Sequence, residues 1–99
     1  PLQAVVIPIS SDFDEYAKSI AKELKRNGLI VEVDLKNHNL NYKIRDHSLT
    51  KVPMLLICGK KEVDSNSVTI RRLDSNKLEN MALKEFIKKY SDLNKAPSI

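Results

Sequence analysis

Glycine is nearly absent from this chain of 99 residues: only Gly28 and Gly59 occur, and they lie far apart. A phosphate-cradling P-loop or a G-x-G-x-x-G turn needs clustered glycines, so nucleotide-cofactor binding of those kinds is excluded. Cysteine occurs once, as Cys58, which rules out an internal disulfide and is compatible with a reducing compartment. No apolar run approaches the length of a membrane span, and no signal peptide is visible. The two histidines, His38 and His47, lack a third partner at ligand spacing, which argues against zinc. No serine has the strand–turn–helix context of a nucleophile elbow. Cys58 ends an apolar strand and reads as a buried, inert thiol rather than a nucleophile. Nothing in these residues argues for catalysis.

What is present describes a small soluble domain. Hydrophobic residues make up 41% and charged residues 30%, enough apolar material for one core and too much for a disordered chain. The formal charge of +4 and pI near 9.3 lean mildly towards polyanionic partners. On charge alone, a lysine-rich solubilising surface explains them equally well. The chain opens at Pro1, without methionine, in an already strand-like stretch, as expected of a domain cut from a longer protein.

Ala4–Ile9 is a continuous apolar run, the signature of a buried parallel strand, with Pro8 near its end because proline cannot donate to a ladder. Ser10, Ser11 and Asp12 offer helix caps. Phe13, Tyr16, Ala17, Ile20, Ala21 and Leu24 then repeat on one helical face, and Asn27-Gly28 stops the helix. Ile30–Leu35 alternates as a second strand, completing a right-handed βαβ unit. Asn39 or Asn41 can cap a helix over about Tyr42–Thr50, with Leu40, Ile44 and His47 on one face. His47 there reads as a partly buried structural histidine. Met54–Cys58 is a third buried strand.

Beyond Gly59, the runs Lys60–Asp64 and Ser67–Leu73 read as a hairpin turning at Ser65-Asn66, with a positive φ expected at Asn66. A two-residue loop pairs Val63 with Val68 and Glu62 with Thr69. Val63, Val68 and Ile70 then face the core, and Glu62, Thr69 and Arg71 face away. Asp74–Lys77 is loop-like. Asn80 can cap a last helix carrying the stripe Leu83, Phe86, Ile87 and Tyr90. The domain is expected over residues 1–93, with 94–99 as a flexible tail.

The chemistry gathers between the second and third strands, in D-L-K-N-H-N-L-N-Y-K-I-R-D-H-S-L-T-K-V-P (Asp34 to Pro53). Open α/β sheets bind ligands beyond the carboxyl ends of their strands, where this linker begins. Asparagines that donate and accept, the stacking face of Tyr42, and the cations Lys36, Lys43, Arg45 and Lys51 suit unpaired RNA bases on a charged backbone. A charged helix face is equally often just solvated. Glu62 and Arg71 likewise admit two readings. One is a surface ion pair worth under about 1 kcal/mol. The other is recognition of one guanine, whose O6 and N7 accept from arginine while N1–H and N2–H donate to a carboxylate. Spacing alone favours the ion pair.

The runs D-L-K-N, Y-K-I-R-D-H, K-V-P-M-L-L-I-C-G-K-K-E-V and S-V-T-I-R resemble the C-terminal anticodon-binding domain of the threonyl-tRNA synthetases, a class II family. The opening P-L-Q-A-V-V-I-P-I looks like that domain's first strand, and the likeness covers about residues 1–90. It implies an α/β fold with a mixed five-stranded sheet and three helices. It implies that Asn37, Glu62 and Arg71, the last ending the fifth strand, contact a guanine and a uracil of the anticodon, which turns the balance towards recognition. With the linker cations, the aromatic and a neighbouring lysine, the candidate anticodon-contacting set is Asn37, Glu62, Arg71, Asn39, Lys36, Lys43, Arg45, Tyr42 and Lys61. There are departures. Asn39 stands where lysine is common, Asn41 where glycine is common, and Met54 replaces a frequent tyrosine. R-R-L-D-S-N-K-L lacks the second arginine pair and the glycine usual there, leaving Arg72 and Lys77 as candidate substitutes.

The resemblance implies a role in positioning tRNA(Thr), with no cofactor in this domain. ATP, Mg and Zn are expected in a separate catalytic domain of the same chain, which ligates threonine to tRNA. The full-length enzyme is expected to be a cytoplasmic homodimer, with neither DNA nor membrane as partner. Alternatives are the corresponding domain of a prolyl-, histidyl- or glycyl-tRNA synthetase, or a non-catalytic interaction module of the same fold, such as a polymerase accessory subunit. A flavodoxin-like enzyme domain is disfavoured by the missing glycine loop.

Overall fold

The computed structural model describes residues 1–94, with side chains through residue 91. The order is β1 (Ala4–Pro8), a 3-10 turn (Ser11–Phe13), α1 (Asp14–Arg26), β2 (Val31–Val33), α2 (Leu40–Leu49), β3 (Met54–Cys58), α3 (Lys60–Ser65), β4 (Ser67–Arg72), β5 (Leu78–Ala82) and α4 (Leu83–Asn94). The five strands form one sheet in the order β2-β1-β3-β4-β5. β1 runs parallel to β2 and β3, while β3–β4 and β4–β5 are antiparallel. The expected fold class is borne out: a mixed five-stranded sheet, with three helices of ten residues or more. The expected tail, 94–99, falls outside the described residues except Asn94, which ends α4. No helix among the described residues is long and apolar enough to cross a membrane.

Alternation along each strand sorts the core into two layers. On one face Ala4, Val6, Met54, Leu56, Cys58, Val68 and Ile70 pack with the α1 stripe Ala17, Ile20, Ala21 and Leu24 and with Phe86 of α4. On the other, Val5, Ile7 and Leu55 pack with Val52 and with Leu40 and Ile44 of α2. β2 is shorter than the alternation suggests. It is an edge strand, and its flanking residues Ile30 and Leu35 are 52% and 38% exposed.

The expected hairpin is not formed. Lys60–Ser65 is helical, and Val63, expected in the core, is exposed, while Glu62 is buried. The cause is local. The Glu62 carboxylate reaches back to accept the Gly59 N–H at 2.7 Å, satisfying a donor at the helix start. Asn66 does take a positive φ (50°), but as the left-handed cap ending α3. The expected Val63–Val68 and Glu62–Thr69 pairings give way to β3–β4 pairs such as Leu56–Ile70 and Ile57–Thr69. Asn80 is also not a helix cap. It lies within β5, opposite Thr69. Arg71 therefore belongs to the fourth strand, not the fifth.

Candidate functional site

α2 covers β1 and β3 but not β4 and β5, so part of that sheet face stays open. A cleft of about 550 Å³ lies there. Leu40, Asn41 and Ile44 of α2 form one wall, and Lys61 and Glu62 of α3 another. Ile57, Thr69, Arg71, Leu78 and Asn80 complete it from β3, β4 and β5. Arg71 also borders a second, polar cleft of about 350 Å³ with Ser48, Lys51, Arg72, Ser75 and Asn76.

The cleft combines an apolar base with opposed charges. Arg71 is half-buried, and its side chain makes no hydrogen bond or ion pair among the described residues. Glu62 is 8% exposed, its Oε1 accepting from the Gly59 N–H and its Oε2 from the Thr69 hydroxyl at 2.8 Å. Below it, the Tyr16 hydroxyl lies 3.0 Å from the Glu62 carbonyl and 2.9 Å from the Ser67 carbonyl, tying α1 to the α3–β4 junction. Burial, with the nearby Cys58 and Glu62, pushes the Tyr16 pKa up to about 12, so it stays a donor across the ordinary pH range. Cys58 is fully buried, its pKa likewise pushed up to about 12 by burial and by Glu62.

The nine candidate residues do not share one surface. Lys61, Glu62 and Arg71 line the cleft. Asn37 is exposed in the linker, three residues ahead of Leu40. Asn39 is the α2 cap, its Oδ1 accepting the Tyr42 N–H at 2.8 Å. Tyr42 and Arg45 lie on the outer face of α2 with Asp46 and Leu49, because Leu40 and Ile44 turn inward. The Tyr42 ring sits 4.3 Å from that of His38. Lys43, expected to meet RNA, is buried and donates to the Asp34 carbonyl at 3.0 Å, so it braces the fold instead. Arg72, a candidate basic substitute, is engaged by Glu79 at 2.7 Å and the Tyr90 hydroxyl at 2.6 Å. Lys77 is exposed between β4 and β5. Asn41, Thr69, Leu78 and Asn80 are outside the nine candidates, although the sequence put Asn41 in the linker and Thr69 on one face with Glu62 and Arg71. Only β5 brings Leu78 and Asn80 there, and its composition carries no strand signal.

The linker is anchored at its start by a buried cluster. The Asp34 Oδ1 accepts the Lys36 N–H at 3.0 Å, and its Oδ2 lies 2.7 Å from His47 Nε2. A carboxylate only accepts, so Nε2 carries the proton. His47 is thus the partly buried structural histidine expected. Burial works against the Asp34 charge, but the hydrogen bonds from His47 and Lys36 and the Lys43 charge outweigh it and hold its pKa below the usual carboxylate range. A carboxylate lowered by folding stabilises above its unfolded pKa, near 4, and that contribution is lost as pH falls through the folded value. Urea midpoints should therefore drop below about pH 4. Asp34→Asn should lower the midpoint at pH 7 and flatten part of that acid limb. An equally steep limb in the variant would assign it to other carboxylates.

On the open sheet face of this mixed α/β domain, an arginine side chain without a partner among the described residues and a tethered carboxylate line one cleft. The chain belongs to the anticodon binding domain family, whose model matches residues 3–93. It is 68% identical over 98 residues to the threonine–tRNA ligase of Pelagibacter ubique and 48% identical over 99 residues to that of Chelativorans sp.. These matches cover 99% and 100% of this chain, which spans about 15% of the length of each relative. The RNA binding domain of threonyl-tRNA synthetase from Cryptosporidium parvum Iowa II matches with a TM-score of 0.89 and 36% identity, over 95% of this chain and 24% of that one. Prolyl-tRNA synthetase of C. parvum matches with a TM-score of 0.82 at 20% identity, over 94% of this chain and 20% of that one, a likeness of fold alone. The resemblance to the threonyl branch is borne out.

Proposed function

We propose that this domain recognises the anticodon of tRNA(Thr) for a full-length threonine–tRNA ligase. One observation carries the reading: the Arg71 guanidinium, without a protein partner among the described residues, opens into the same cleft as the Glu62 carboxylate. Arg71 offers donors to guanine O6 and N7, and Glu62 offers acceptors to the N1–H and N2–H donors. Exposed Asn37 and Lys61 extend the contact to a neighbouring base and to phosphate.

The domain's contribution is positional. Holding the anticodon loop here places the acceptor end in a remote catalytic domain, which binds ATP with Mg and carries Zn. Among the described residues of this domain no group of three His, Cys, Asp or Glu side chains could hold a metal. The proposal extends to a cytoplasmic homodimer for the whole enzyme.

In the full-length protein, Asn37→Ala should lower kcat/KM for tRNA charging about tenfold, the scale of one or two lost base hydrogen bonds. Threonine-dependent pyrophosphate exchange should hold, because adenylate formation does not involve the anticodon. Measuring both rates side by side decides the matter. A comparable fall in both, with folding intact, would place Asn37 near the chemistry and overturn the reading.

A further inference from the structure

Both carboxylate oxygens of Glu62 are held, and part of that constraint comes from two residues on the sheet. A hydroxyl has one proton. For Thr69 to give its proton to Glu62 Oε2, the Thr69 oxygen must accept from its other neighbours. Asn80 meets that condition: its Nδ2 lies 3.3 Å from Thr69 Oγ1 and 3.0 Å from Ser67 Oγ. The same nitrogen lies 3.4 Å from the Val68 carbonyl, which can only accept, so the amide's NH₂ end must face the strand. The two protons of that NH₂ are shared among three acceptors, Ser67 Oγ, the Val68 carbonyl and Thr69 Oγ1, and the share that reaches Thr69 sets a directed chain, Asn80 to Thr69 to Glu62, across β5, β4 and α3.

Each carboxylate oxygen has two lone-pair sites, and one on each is used by Gly59 or Thr69. The two left over are what Glu62 can offer a ligand. A free glutamate could swing to meet whichever donor arrived, whereas a tethered one is a fixed template for two adjacent donors.

We infer that Thr69 and Asn80 are positioning residues for base specificity: they hold the Glu62 carboxylate so that its unused lone pairs match the paired N1–H and N2–H donors of guanine. Adenine, with one exocyclic donor and an acceptor at N1, leaves a lone pair unmatched and meets repulsion. A preorganised site rejects the analogue that cannot satisfy it, and a loose one does not. The inference rests on the reading of this cleft as the anticodon site.

The test uses the full-length protein and two transcripts of tRNA(Thr), one with the native anticodon guanine and one with adenine there. Dissociation constants for both are measured beside urea midpoints. Thr69→Val keeps the shape and removes the hydroxyl, and it should reduce guanine-over-adenine discrimination about tenfold, mainly by weakening the guanine RNA. Thr69→Ser should restore discrimination to within about twofold of the parent. Should Thr69→Val not fold, Asn80→Ala at an exposed position serves instead, with an expected loss of about threefold, the scale of one weakened hydrogen bond. Unchanged discrimination, or equal weakening on both RNAs, overturns the inference. Arg71→Ala on the same RNAs separates the two levels. If it erodes discrimination while Thr69→Val does not, only the positioning role falls. If neither does, the cleft is not the anticodon site.

Discussion

Arg71→Ala is expected to weaken binding of tRNA(Thr) by about 1–3 kcal/mol, roughly fivefold to over a hundredfold, the scale of one bidentate base contact. Arg71 sits in β4 between Leu55 and Leu78 in register, at the border of two clefts. The carboxylate sharing its cleft, Glu62, is already held by Gly59 and Thr69. No described residue engages the guanidinium, so truncating it orphans no protein acceptor among them. Stability should therefore change by less than about 0.5 kcal/mol. The loss should be larger for the native anticodon than for one with the guanine changed. Arg71→Lys should rescue little, because an ammonium cannot bridge two acceptors in one plane. Equal losses on both RNAs, measured by titration at one fixed salt concentration, would show a phosphate contact instead.

Phe86→Ala should destabilise the fold by about 3–5 kcal/mol, the usual cost of truncating a fully buried aromatic. Phe86 has no exposed surface and joins α4 to the cluster containing Val68 and Ile70 of β4. Its ring centroid lies 4.6 Å from that of Tyr90, whose hydroxyl accepts from Arg72. The cavity would open beneath the strand that carries Thr69 and Arg71 on its other face. A domain of this size has only about 5–15 kcal/mol in total. At about 4–8 °C per kcal/mol, the melting temperature should fall by well over ten degrees. Leu49→Ala, at a residue 74% exposed, should change stability by less than about 0.5 kcal/mol. Urea midpoints for the two variants check both. Similar values would mean that α4 does not close the core.

The parallel half of the sheet is legible in the residues alone. β1, α1, β2 and β3 are written in local periods: continuous apolar runs, and one helical stripe ending at Asn27-Gly28. The motif run from Asp34 to Glu62, with S-V-T-I-R after it, also carried the family. The rest of the fold follows from packing that those local periods do not encode. Lys60–Ser65 carries one apolar residue, Val63, and no helical stripe, yet the Gly59 N–H donating to the Glu62 carboxylate caps it as a helix. L-E-N-M-A has little strand propensity and becomes β5 only by pairing with β4, which is how Asn80 reaches Thr69. Lys43 reads as a surface cation until the Asp34 carbonyl takes its ammonium inside. The inward turn of Leu40 and Ile44 sends Tyr42 and Arg45 to the outer face of α2, away from Arg71. Residue types are set locally, but which of them share a cleft depends on helix phase, strand partners and competing hydrogen bonds, and these exist only once the chain has packed.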